Sequence, residues 1–205
     1  MRLFGQALLE ALLGLVAVIL VTVLILGLLA TCCRADTLPE RVIAESGRYL
    51  HVREVGVNRG PEIDSWLRYL GLPVGLPYCA AYGVSMYHLA GHNLPRIGRC
   101  SLLWQRVTAN GLRYQMISAE QVSLGAKLQP ADFIIWRHGK GPGQNWNGHA
   151  GLLLTQKDKK TFRSREANTQ PGPEGDQREG GGVYDRTRTL GLGSSFQVVG
   201  FFRVR

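Results

Sequence analysis

Cysteine is scarce in this chain: four residues in 205, two of them adjacent. That scarcity excludes a disulfide-built scaffold in a chain of this size, and no Cys-x-x-Cys spacing is present to seat a structural zinc. Acidic residues are also few, 15 against 24 Lys and Arg, which leaves a net charge of +9. The positive charge comes without a zinc-ligand pair, an aromatic RNA-binding box or a basic helix, so nucleic acid is not the expected partner. A basic surface facing an anionic envelope, either wall or lipid, accounts for the balance. No internal repeat is visible, so a solenoid or propeller is not expected.

The longest apolar run is Ala11 to Ala30, twenty uncharged residues rich in Leu, Val and Ile. About 20 apolar residues are needed to span a bilayer, and signal-peptide cores are shorter, so the run reads as a retained anchor. Cleavage after Ala35, at Cys33-Arg34-Ala35, would instead give a secreted form. Residues 1–33 carry only Arg2 and Glu10, so the remaining chain holds the whole net charge. The expected division is residues 1–35 as membrane anchor or signal segment and 36–205 as one folded domain. Arg34, Arg41, Arg48 and Arg53 follow the run, and read literally the positive-inside rule keeps that domain in the cytoplasm. Long domains translocate regardless of this bias.

Beyond the anchor, helical signals come first. Thr37 caps a helix from Leu38 to Tyr49, and Pro61 opens another that reaches Leu70. The segment 71–77 holds two Gly and two Pro and reads as a loop. A third helix starts near Cys79, with Ala80, Val84 and Tyr87 as its expected buried stripe. Strand signals follow at Asp132–Trp136, His149–Gln156, Thr161–Asn168, Val183–Thr189 and Phe196–Val204. Glycine-rich connections fill 139–148 and 169–182. The expected class is α+β, with helices on one face of an antiparallel meander.

Cys79 stands where a Pro-punctuated turn becomes a helix. Unpaired N–H groups and the positive end of the helix dipole lower a thiol's pKa there and favour the nucleophilic thiolate. A cysteine nucleophile also needs a base and a group to hold that base. His149 opens a strand after Gly148. Glu166 and Asn168, two residues apart on the next strand, share one face and are placed to orient the imidazole. His51, His88, His92 and His138 have no such context and read as surface or core residues. Cys100 reads as a half-buried bystander. Trp66, Trp104 and Trp136 read as packing residues.

The segments Gly75-x-Pro77-Tyr78-Cys79-Ala80-Ala81-Tyr82, Gly148-His149-Ala150-Gly151-Leu152 and Glu166-x-Asn168 together resemble the CHAP family, the cysteine- and histidine-dependent amidohydrolases/peptidases. Asn58-Arg59-Gly60, Ile63 and Tyr69-Leu70-Gly71 match a segment found before the cysteine in one branch. The likeness covers roughly residues 40–205. It implies a papain-like α+β fold and a thiolate mechanism in which Cys79 attacks an amide carbonyl, His149 relays the proton, and Glu166 and Asn168 position the ring. It further implies peptidoglycan as substrate, the outer side of the cytoplasmic membrane as location, and no metal or cofactor. Tyr78 and Trp146 are candidate substrate contacts. The competing expectations are an amidase of a small γ-glutamyl or polyamine conjugate, and a silent, envelope-binding domain.

Overall fold

The computed structural model describes residues 14–16, 18–24, 36–139, 147–171 and 180–205. The chain divides into two units, Met1–Asp36 and Thr37–Arg205. In the first, residues 14–16 and 18–24 are helical. Among the described residues no helix is long and apolar enough to cross a membrane. The rest of the expected anchor, residues 11–13, 17 and 25–30, lies outside the described residues.

The second unit begins with α1 (Leu38–Gly47), where Thr37 and Glu40 form a reciprocal capping box and Pro39 fits the first turn. Next come α2 (Pro61–Tyr69), α3 (Cys79–Leu89) and α4 (Cys100–Thr108). The remaining elements are β1 (Tyr114–Ser118), α5 (Ala119–Ser123), β2 (Phe133–His138), β3 (Gly148–Gln156), β4 (Thr161–Thr169), β5 (Gly182–Thr189) and β6 (Phe196–Val204). The expected α+β class holds.

The six strands form one antiparallel sheet in the order β1-β6-β2-β3-β4-β5. This corrects the simple meander: β2 to β5 run consecutively, but β6 returns across the sheet to sit between β2 and the unforeseen β1. Both faces are covered. Val42, Ile63, Leu67, Tyr82 and Val84 from α1–α3, with Leu103 from α4, share a core with Phe133, Ile135, Leu152 and Phe202. On the opposite face Ile134, Trp136, Leu153, Phe162 and Phe201 pack with Ala119 and Val122 of α5. Strand β2 is therefore buried on both sides, which is why its sequence is continuously apolar instead of alternating.

Helix α3 is the centre of the helical layer. Every residue from Cys79 to Tyr87 is buried, so the expected stripe is in fact a whole circumference. It packs on β3 and β4 as well as on α1 and α2. Gly83 makes the close approach possible, since a Cβ there would stand 2.6 Å from the Phe133 ring. Trp66 fills the space beside it, edge-on to Tyr49 and Tyr82. The consequence of this packing is positional. The N-terminus of α3 is held rigidly against the start of β3.

Candidate active site

Two helices begin on a cysteine, and their starts converge. Cys79 is the first residue of α3 and Cys100 the first of α4, and their sulfurs are 3.9 Å apart. Both are free thiols, each only 4 % exposed. Cys100 is thus no bystander. With Cys79 as the thiolate, Cys100 is the S–H donor to it. That bond is the largest influence drawing the Cys79 pKa well below the ordinary thiol value, against the opposing effect of burial, and His149 and the Ala150 N–H add to it. The same contact, together with burial, pushes Cys100 well above the ordinary value.

His149 is the second residue of β3 and 1 % exposed. Its Nε2 lies 3.0 Å from Glu166 Oε2. Nδ1 has no closed hydrogen bond among the described residues, yet the ring interacts with Cys79. Desolvation alone would lower the imidazole pKa. The Cys79 thiolate and the Glu166 carboxylate outweigh it and raise the value to about 9. The two opposite shifts favour a thiolate–imidazolium pair.

Glu166 is fully buried and completely engaged. Arg188 donates Nε to Oε1 at 2.9 Å and a second N–H to Oε2, and Ser164 Oγ donates to Oε1. Burial would raise this carboxyl, but the guanidinium and His149 hold it down at about 2. The result is a linear relay, Arg188 to Glu166 to His149 to Cys79. Trp136 closes it on one side, its ring centroid 5.5 Å from His149 and stacked at 6.0 Å on Phe196. Gly151 leaves room for it: a Cβ there would come within 2.8 Å of Glu166 Cγ and 3.3 Å of Trp136.

The expected quartet is not symmetrical in role. Glu166 meets Nε2, while Asn168 sits in the register shift between Ala167 and Thr169, takes a left-handed φ of 56° and lines the pocket beside Cys79. Tyr78, expected to touch substrate, is instead fully buried and absent from the pocket wall. Its ring packs on Trp66, and its hydroxyl is shared between Glu54 Oε1 at 3.1 Å and the Gly180 carbonyl at 3.4 Å. Trp146 lies outside the described residues. Arg188, Ser164 and Cys100 were not singled out as site residues from sequence. Arg188 stands opposite Phe162 and Ser164 opposite Arg186, so neither is tied to Glu166 until the β4–β5 register is known.

The pocket above Cys79 encloses about 530 Å³. Leu72, Leu76 and Pro77 give it an apolar wall, and Asn147, Gly148 and His149 lie opposite in sequence. Among the described residues Arg99 also lines it.

His88 and His92 are four residues apart, a metal-ligand spacing when both ride one helix face. Here the helix ends at Leu89 and Gly91 turns the chain with φ 86°. His88 is stacked on Tyr69 with Nδ1 2.9 Å from Asn93 Oδ1. Among the described residues no three His, Cys, Asp or Glu side chains are grouped to hold a metal ion. No family model, curated protein or solved structure matches this chain.

Proposed function

We propose that this chain is a cysteine amidase or endopeptidase with a papain-like, CHAP-like domain, that it hydrolyses amide bonds of peptidoglycan through an acyl-enzyme on Cys79, and that its N-terminal segment tethers it to the membrane. The observation that carries this reading is the relay that ends at the buried Cys79 sulfur in the pocket wall. A structural cysteine has no use for an imidazolium held by a carboxylate that is itself held by a guanidinium.

In the first step the Cys79 thiolate adds to the amide carbonyl carbon. The N–H of Cys79, in the first turn of α3 where a helix leaves its N–H groups without intrahelical partners, would receive the developing oxyanion. His149 then passes its Nδ1 proton to the leaving nitrogen, and the C–N bond breaks to leave a thioester. Now neutral, His149 takes a proton from water as it attacks, and the thiolate departs. Throughout, Glu166 holds Nε2–H and keeps Nδ1 directed at the sulfur.

Arg99 bears on the substrate class. A cation in the lining favours a peptide fragment carrying a carboxylate, as wall stem peptides do, over a polyamine conjugate. The test is digestion of purified wall sacculi followed by mass spectrometry of the released fragments. The reading predicts new amine and carboxyl ends at a single type of amide bond, unaffected by chelators and lost in Cys79→Ala. Release that persists in Cys79→Ala, or that stops on chelation, would overturn it.

A further inference from the structure

Within the described unit the two sulfurs of the pocket are close enough to be joined. The Sγ–Sγ separation is 3.9 Å, against about 2.05 Å in a disulfide, so each side chain has to move only about 1 Å. Both residues line the cavity, so a small solute entering it meets both. Both also stand at helix starts, where the residue before each is not helical, so adjustment there does not require unwinding a turn. For hydrolysis Cys100 serves as a hydrogen-bond donor to Cys79, a role that a hydroxyl would also fill.

We propose that Cys100 is a resolving cysteine, and that Cys79 and Cys100 form a reversible disulfide that switches the site off when the protein meets a hydroperoxide. The chemistry proceeds in two steps. The Cys79 thiolate attacks one peroxide oxygen, the O–O bond breaks, and with one proton taken up the products are Cys79 sulfenic acid and an alcohol, or water from hydrogen peroxide. Cys100 sulfur then displaces the sulfenic hydroxyl, which leaves as water with the Cys100 proton, and the S–S bond forms. The Cys79–Cys100 pair is oxidised by two electrons overall and the peroxide reduced by two. A dithiol reductant returns both thiols.

The disulfide has two effects on the site. It removes the nucleophile, and it protects that nucleophile from the sulfinic state, which simple thiols do not reverse. The first effect rests on the hydrolase reading; formation of the bond does not.

The full-length protein, treated with one to a few equivalents of hydrogen peroxide and alkylated, is digested with trypsin. Residues 69–96 and 100–106 should then appear as one linked species, two hydrogens lighter than the sum of the separate peptides, and should separate again on treatment with dithiothreitol. In Cys100→Ser the same dose should leave Cys79 as sulfinic or sulfonic acid, several-fold more than in the wild type and not recovered by dithiothreitol. Recovery of Cys79 over-oxidised in the wild type to the same extent as in the variant would overturn the proposal. So would its recovery linked to Cys32 or Cys33, or unmodified at doses that oxidise free cysteine. This readout is independent of hydrolysis. A linked pair in a protein that releases nothing from sacculi would refute the hydrolase and leave the switch standing.

Discussion

At the scale of single residues, the relay makes its members unequal. In the proposed mechanism Cys79 and His149 exchange bonds and protons with the substrate, so alanine at either position should lower kcat/KM on the order of 10⁴-fold, measured by fragment release. Glu166 and Arg188 are positioning residues and act through the imidazole. Glu166→Gln keeps an acceptor for Nε2–H but removes the charge that supports the imidazolium. The alkaline limb of the pH–rate profile, set near 9 in the wild type, should therefore move to lower pH. A role confined to packing would lower the rate without moving the limb. The acid limb belongs to the same coupled pair and should lie well below the ordinary thiol value, and iodoacetamide should label Cys79 far faster than Cys100 at neutral pH.

Glu166 also links pH to stability. Its folded value is depressed to about 2 from an ordinary 4.5, so its contribution is present above about 4.5 and is lost as the pH falls through about 2. The difference in Tm between wild type and Glu166→Gln should shrink over that interval. Leaving Arg188, only 10 % exposed, opposite a neutral amide should cost about 3–5 kcal/mol at neutral pH. Residues whose chemistry is local were legible without coordinates: a thiol at a helix start, a histidine opening a strand, a carboxylate on its neighbour. Arg188 was not, because it reaches Glu166 only through pairing of β4 with β5, twenty-two residues on. Cys100 was not, because nothing in the order of the chain says that two helix starts converge.

Among the elements, α3 does the positioning, and two glycines set how closely its surroundings can pack. Gly83→Ala would drive a Cβ into Phe133 and push α3 off the sheet. Overpacking of this kind costs about 1–3 kcal/mol. At about 2–4 °C per kcal/mol for a unit of this size, thermal melts should show a fall of several degrees. Gly151→Ala should act differently, displacing Glu166 and Trp136 and lowering kcat more than it lowers Tm. The strands were readable where apolar runs are flanked by Gly, Pro or charge, and β6 was found at its observed bounds. Strand β1 and helix α5 escaped notice because five residues each are too few for a periodic pattern, and their place depends on β6 crossing the sheet. The all-round burial of α3 was missed for a related reason. Ala80, Ala81, Gly83 and Ser85 carry little hydrophobic signal, and only close packing on both sides buries them.

For the whole molecule, the division into Met1–Asp36 and Thr37–Arg205 separates the apolar run from the fold that holds the relay. Removal of residues 1–36 should leave the Tm of the remainder unchanged within a degree or two and its hydrolysis of soluble wall peptides intact, while release from membrane-attached sacculi declines. The strong positive charge of that remainder predicts weaker association with anionic wall as salt rises, because attraction between exposed charges is screened within about 10 Å at 0.1 M.

The proposed hydrolysis turns on acylation of Cys79 by a wall peptide. Full-length protein mixed with purified peptidoglycan, quenched in acid within the first turnovers and mapped by mass spectrometry, tests it directly. The account predicts a thioester-linked peptide adduct on the tryptic peptide 69–96 of the wild type, absent from Cys79→Ala and from His149→Ala. Wall fragments released at the wild-type rate by Cys79→Ala, with no adduct on the wild-type protein at any time, would contradict it.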